Sequence, residues 1–222
     1  MPPVTSMEEG LREGLRELGY VEGKSIVIEW RRSTGTREEL QLLAADLIRS
    51  KVDLIVTAGT SATRAAMETT TTVPIVFHVG DPVTSGFAAS LARPGGNGTG
   101  VSVISAELIA KRLELLHQLI PKAKRIIYLK NPSNPAAQLL LDEVQKAARV
   151  LGLRVETLDA RTVPEIDAAL DKLRRSAAHG CLVGGDLLYL AERARISRAL
   201  RESRLPAVFA YKEYHDDGAL MS

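Results

Sequence analysis

The sequence predicts an α/β protein built from two Rossmann-like lobes, each a parallel sheet covered by helices. Three observations predict it. Apolar, β-branched runs of four to six residues alternate with helical patterns of ten or more, as parallel sheets require. The alternation pauses near residue 105 and then restarts. A chain of 222 residues is long enough for two lobes of about 100 residues each. The expected division is 1–105 and 106–222.

Taken in order, Leu11, Leu15 and Leu18 recur at helical spacing after a capping-box pattern at Ser6 and Glu9, and Gly19-Tyr20 ends that helix. Ser25 to Trp30 reads as a strand. Leu40, Leu43, Ala44 and Leu47 mark a helix, and Leu54 to Thr57 a strand. A helix from Ser61 to Thr69, a strand at Pro74 to His78 and a short helix near Ser85 to Leu91 follow. Arg93-Pro94-Gly95-Gly96-Asn97-Gly98 reads as a sharp turn, since proline ends a helix and glycine permits positive φ. Gly100 to Ile104 reads as the fourth strand.

The next helix runs from Ala106 to Ile120, with Ile109, Leu113, Leu116 and Ile120 on one stripe. Strands are expected at Arg125 to Leu129, Arg154 to Leu158, Gly180 to Val183 and Ala207 to Ala210. Helices are expected at Pro135 to Leu151, Val163 to Ser176 and Leu187 to Arg204. The chain opens on a helix with no strand before it and ends at Ala219-Leu220-Met221-Ser222, which reads as a strand beginning. Both ends therefore read as cut; the alternative is a first helix that lacks a strand partner. Met1 to Val4 carries no charged region followed by an apolar one, so no signal peptide is expected in this chain.

Composition excludes several classes. The chain is 45% hydrophobic and 25% charged, with net charge +2 and a single cysteine. A normal apolar fraction argues against disorder. A near-neutral balance without a Lys/Arg block argues against nucleic acid as a partner. Cys181 alone permits no internal disulfide and no thiolate zinc cluster. No apolar run reaches the length of a membrane span.

Ligands of open parallel sheets lie beyond the carboxyl ends of the strands, so the loops that follow strands are the informative ones. Thr57-Ala58-Gly59-Thr60-Ser61 offers hydroxyls and free N–H groups at a helix start, suited to an anion such as a carboxylate. Equally, Thr60 or Ser61 is a plain helix cap. Asp81, ahead of Pro82, is either an N-cap or a holder of a ligand ammonium or hydroxyl. Asp186 has the same two readings, and Gly184-Gly185 before it lets a ligand approach the backbone. Tyr189, Tyr211 and Tyr214 follow late strands and offer a ring.

Catalytic patterns are thin. Neither a GxGxxG, a P-loop, a GxSxG elbow nor an HExxH sequence occurs. Only His78 with Asp81 suggests acid–base work, while His117, His179 and His215 are scattered. Cys181 reads as a small core residue rather than a thiolate.

The stretch Val73-Pro74-Ile75-Val76-Phe77 through Gly80-Asp81-Pro82-Val83, followed by Ser90-Leu91-Ala92-Arg93-Pro94-Gly95-Gly96-Asn97-Gly98-Thr99-Gly100-Val101, resembles the ABC-transporter substrate-binding family that includes tryptophan/tyrosine-type binding proteins. Lys111-Arg112-Leu113-Glu114-Leu115-Leu116, Asn131-Pro132-Ser133-Asn134-Pro135, the Gly10 to Gly23 stretch and Asp217-Gly218-Ala219-Leu220 fit the same pattern, so the resemblance covers essentially the whole chain. It implies a type I periplasmic binding fold whose cleft closes on a small solute, an amino acid among the candidates. It also implies export, anchoring outside the cytoplasmic membrane in the full-length form, and delivery of solute to a membrane permease and its ATPase. No cofactor, metal or catalysis is implied. The ligand-contacting positions it suggests are Thr57, Gly59, Thr60, Ser61, Asp81, Pro82, Asn131, Asp186, Tyr211 and Tyr214. Two other readings stand beside it: an enzyme on a similar scaffold, such as a sugar-nucleotide epimerase or transferase, and the ligand domain of a regulator.

Overall fold

The computed structural model describes residues 6–33, 36–103 and 105–222, without the side chains of residues 6 and 105–107. Ile104, the expected end of the fourth strand, Met1 to Val4 and the Ser6 side chain of the expected capping box lie outside it. The chain divides into two compact units, Met1–Arg32 and Ser33–Ser222.

In the first unit, α1 (Ser6–Glu17) is followed by Gly19 at φ +87°, which ends it as expected. Ser25 to Trp30 is not a strand. Its backbone has no ladder, only an isolated Glu22–Ile26 bridge. The strand-like alternation survives in burial, with Ile26, Ile28 and Trp30 half-buried and Ser25, Val27 and Glu29 exposed. The sequence carried the period of a strand, but a strand also needs a partner for its N–H and C=O groups. Arg32 grips Glu8 through two bonds of 2.9 and 2.7 Å, and the Arg12 guanidinium lies 4.7 Å over the Trp30 ring.

The second unit carries two parallel sheets. The first contains β1 (Ile55–Ala58), β2 (Ile75–Val79) and β3 (Gly98–Ser102) in the order β1-β2-β3. Helices α2 (Arg37–Arg49) and α3 (Thr60–Thr69) cover one face, where Ile55 and Ile75 pack with Leu47, Ile48, Ala66 and Met67. On the opposite face Val56 and Val101 remain 51% and 61% exposed, so the expected covering of both faces is not met there. The register sets Phe77 beside Gly100. A Cβ at Gly100 would overlap the Phe77 carbonyl, and one at Gly98 would overlap Met67. The glycines of the Asn97-Gly98-Thr99-Gly100 element are thus places where the backbone must come close. Asn97 anchors the same element by donating to the carbonyls of Thr70 and Val73, at 3.2 and 2.8 Å.

The expected helix at Ser85 to Leu91 does not form. Asp81 Oδ1 accepts the N–H groups of Val83 and Thr84, which starts a single turn. Gly86 then adopts φ +76° and ends it. Phe87 is buried with its ring 6.3 Å from that of Phe77, while Arg64 of α3 donates to the Ser85 carbonyl at 2.8 Å.

The second sheet has the order β5-β4-β6-β7, from β4 (Arg125–Lys130), β5 (Arg154–Asp159), β6 (Gly180–Val183) and β7 (Ala207–Val208). Between them run α4 (Ser105–Leu119), α5 (Ala137–Leu151), α6 (Val163–Arg174), α7 (Leu187–Ala191) and α8 (Arg193–Glu202), with a final 3₁₀ helix at Lys212–Asp217. Every residue of β6 is buried. Ile126, Tyr128, Leu182 and Val208 face a core built from α4 and α5. Ile127, Leu129, Cys181 and Val183 alternate to the other face and are also buried, so this sheet is covered on both sides as expected.

Several boundaries differ from expectation, among them that of β3, which begins at Gly98 rather than Gly100. The helix at Leu187 to Arg204 breaks at Glu192, whose φ of −97° and ψ of 17° interrupt the ladder. β7 ends at Val208 rather than Ala210. Ala219 to Ser222 is not a strand, although the Met221 carbonyl accepts the Phe209 N–H at 3.1 Å.

Gly100→Ala is expected to destabilise the chain by about 1–3 kcal/mol or more, the usual cost of forcing atoms into filled space. Gly10→Ala, in α1 with no atom within 4 Å of the new Cβ, is expected to stabilise by about 0.5–1 kcal/mol. Urea unfolding of both variants checks the contrast, and equal effects would contradict it.

Candidate functional site

In parallel sheets every strand delivers its C-terminal loop to the same edge. In the first sheet that edge carries the loops after β1 and β2, and in the second the loops after β4, β6 and β7. The Gly59 N–H is held by the His78 carbonyl at 2.9 Å, and Gly59, at φ +85°, caps α3 with no side-chain bond. Neither Thr60 nor Ser61 caps the helix, and among the described residues no side chain accepts from the first N–H groups of α3. Thr57 turns inward: its hydroxyl lies 2.8 Å from that of Thr63, which donates to the Gly59 carbonyl.

A Cβ on Gly59 would stand 2.9 Å from Leu187 Cδ1. The start of α3, after the first sheet, therefore touches the start of α7, after the second. The residue before Leu187 is Asp186, 9% exposed. Its Oδ1 accepts from Asn131 Nδ2 at 3.3 Å and from the Leu188 N–H at 3.0 Å. Its Oδ2 accepts from Asn134 Nδ2 at 2.9 Å. Asn131 and Asn134 are themselves fixed, because their side-chain oxygens accept the N–H groups of Ser133 and Ala136. Burial pushes the Asp186 carboxyl above the usual carboxylate range, and the three N–H donors oppose that shift.

Around this carboxylate lies a small, partly open cavity of about 10 Å³ lined by Tyr128, Lys130, Asn131, Asn134, Gly184 and Gly185 among others, room for about one water. Lys130 is tied to Asp159 at 3.0 Å. The Tyr211 hydroxyl lies 3.7 Å from where a Cβ on Gly185 would stand, and burial raises its phenol to about 12. Arg112 of α4 completes the group. Its Nε donates to the Leu108 carbonyl at 3.3 Å, while its Nη1 is buried without a partner among the described residues. Burial lowers the Arg112 pKa from its usual value, and the phenols of Tyr128 and Tyr211 act on it in the opposite direction.

The structure thus brings Gly59, Asn131, Asp186 and Tyr211 to one edge, with Thr60 and Ser61 at the start of α3. Asp81 and Pro82 form the capped turn after β2, and the Thr84 hydroxyl, with the backbone bonds, holds the Asp81 carboxyl below its usual range against burial. Tyr214 lies in the core: it is 1% exposed, stacks on Phe209 at 4.2 Å and donates to the Tyr189 carbonyl at 2.8 Å. Tyr189 is likewise spent, on the Ala160 carbonyl at 2.7 Å. No hydrogen bond joins His78 to Asp81 among the described residues. Cys181 is fully buried, and burial raises its thiol to about 12. Sequence reasoning missed Arg112, Tyr128 and Asn134. The signal for Asn134 was present, as the second asparagine of the Asn131-Pro132-Ser133-Asn134 repeat.

Two parallel sheets with helices between their strands give the type I periplasmic binding fold. Residues 2–222 match the family described as ABC transporter substrate binding protein, and the chain belongs to it. It is 28% identical over 220 residues to a tyrosine-binding protein of Clostridioides difficile, covering 99% of this chain and 63% of that protein. The chain therefore spans less than two thirds of that relative's length. A conserved domain protein from Vibrio cholerae superposes with a TM-score of 0.86 at 25% identity, over 95% of this chain and 71% of that one. The ABC domain in complex with L-Trp from Streptococcus pneumonia gives a TM-score of 0.83 at 24% identity, over 96% and 71%. The family is one of proteins that bind solute outside the cytoplasmic membrane. No helix among the described residues is long and apolar enough to cross a membrane.

The raised Asp186 value sets a sign for stability. The folded state holds the proton more tightly than the unfolded chain between the unfolded value of about 3.9 and the raised folded one. Asp186 then adds stability below that window and loses it as pH rises through the folded value. Asp186→Ser keeps a residue suited to cap α7. The stability of the wild type relative to this variant, by urea unfolding across pH, is expected to fall with rising pH; a pH-independent difference would contradict it.

Proposed function

We propose that this chain is the solute-capturing component of an ABC importer and that its small solute is an amino acid. The observation that carries the reading is the meeting of the side-chain-free start of α3 with Leu187, beside the buried Asp186. A solute at that point touches groups from both sheets. It therefore stabilises the arrangement in which they lie together over one in which they are apart, because only the first offers both sets of contacts. The α-carboxylate goes to the N–H groups of Thr60 and Ser61, where the helix dipole favours an anion. The ammonium goes to Asp81 or Asp186.

Support for the amino-acid class comes from the tyrosine-binding relative and from the structure that holds L-Trp. The family supports a binding protein rather than an enzyme. Permease and ATPase are the proposed partners, with the full-length protein exported and anchored outside the cytoplasmic membrane. Its loaded form is the one the permease recognises.

Calorimetric titration with L-tyrosine and L-tryptophan tests the class, and Asp81→Asn tests the ammonium assignment. The variant is expected to lose about tenfold or more in affinity for the amino acid, the scale of a hydrogen bond to a charged group. It should leave the corresponding deaminated acid, 3-(4-hydroxyphenyl)propanoate, unaffected. An unchanged affinity for the amino acid would remove Asp81 from the site and leave Asp186 as the holder.

A further inference from the structure

Among the described residues of this edge, Arg112 stands out by what it lacks. The amides and the amine around Asp186 have their bonds accounted for: Asn131 and Asn134 donate to the carboxylate and accept from the backbone, and Lys130 pairs with Asp159. Arg112 has one bond, from Nε to the carbonyl one turn back on its own helix. Its Nη1 is buried and has no acceptor, and none of its electrostatic neighbours is a carboxylate; they are the phenols of Tyr128 and Tyr211. Tyr128 lines the pocket, and the Tyr211 hydroxyl sits against Gly185 at its rim. A guanidinium is charged at any working pH. Removing one of its donors from water without an acceptor costs more than an ordinary hydrogen bond returns. An anion from outside the chain would supply the missing acceptor.

We propose that Arg112, framed by Tyr128 and Tyr211, is a specificity-determining residue that takes an oxygen of the solute's carboxylate from the side of the second sheet. This rests on the reading of the strand-end pocket as a solute site. It adds a charged contact to the backbone donors of α3, so that one acid group is gripped from both sheets. The solute class narrows accordingly to molecules with a free carboxylate; amides and esters of the same skeleton are discriminated against. The planar fork of arginine suits a carboxylate, and a lysine would keep the charge but lose the second donor.

The test compares L-tyrosine with L-tyrosinamide, and L-tryptophan with L-tryptophanamide, at mildly acidic pH where all four carry the ammonium. Wild type, Arg112→Gln and Arg112→Lys are titrated by calorimetry, and the melting temperature of each unliganded protein is recorded. The wild type is expected to prefer acid over amide, and Arg112→Gln to lose about tenfold or more of that preference. Arg112→Lys should keep part of it. Because the unpaired charge is a burden to the unliganded fold, Arg112→Gln is expected to raise the unliganded melting temperature by roughly 2–4 °C. An acid-to-amide ratio unchanged in Arg112→Gln, with acids still bound, would overturn the assignment of Arg112 and leave the solute site standing. A lowered unliganded melting temperature would make Arg112 a structural residue and overturn it as well. Failure of the wild type to bind any of the four compounds would overturn the amino-acid reading itself, and this inference with it.

Discussion

A carboxylate buried at the end of β6 is the constraint around which the second sheet's functional edge is organised. Asp186 is 9% exposed, and a buried charge is tolerated only when hydrogen bonds replace its lost water. Three donors do so: the Leu188 N–H and the amides of Asn131 and Asn134. Each ties a different piece of chain to the same point. The backbone bond starts α7 and so sets where Leu187 stands. The two asparagines lock the loop after β4 into successive turns, each through its own side-chain oxygen. Removing this carboxylate would release the start of α7 and the β4 loop together, which is why a single residue governs the shape of the pocket wall.

The first sheet reaches the same edge by different means. Its close spots are glycines: Gly98 and Gly100, where Phe77 and Met67 press on the backbone, and Gly59, where Leu187 approaches. The most distinctive stretch of the sequence, from Ser90 to Val101, contributes packing and a loop anchor through Asn97 rather than a ligand contact. Its value as a mark of kinship therefore comes from geometry that the fold cannot vary cheaply. The residues proposed to touch solute are fewer and less distinctive in sequence.

Much of the fold was legible because parallel sheets buried on both faces need continuous apolar strands, and β4 and β6 supply them. The start of α6 at Val163, which the Thr162 side chain caps, was legible. Ser25 to Trp30 misled because alternation records a half-buried surface, not a ladder partner. Ser85 to Leu91 misled because the turn is decided by Gly86 and by the docking of Phe87, both tertiary matters. The break at Glu192 carries no glycine or proline to announce it. At the site, the loops after strands were legible from topology, and Asn131, Asp186 and Tyr211 come together there, whereas Asp81 caps its own turn. Arg112 was not legible. It lies beside Leu113 and Leu116 on a helical pattern and reads as an exposed cation until α4 packs over Tyr128.

The central claim is that a solute holds the two strand-end edges together, and the spacing of the two sheets tests it most directly. Glu38 on α2 and Arg198 on α8 are exposed, and the single native cysteine, Cys181, is fully buried. Spin labels on Glu38→Cys and Arg198→Cys therefore report one distance between helices that flank different sheets. Pulsed electron resonance with and without saturating L-tyrosine should show that distance shortening and its distribution narrowing when solute is present. A distribution that does not change, at concentrations where calorimetry shows the solute bound, would contradict the account.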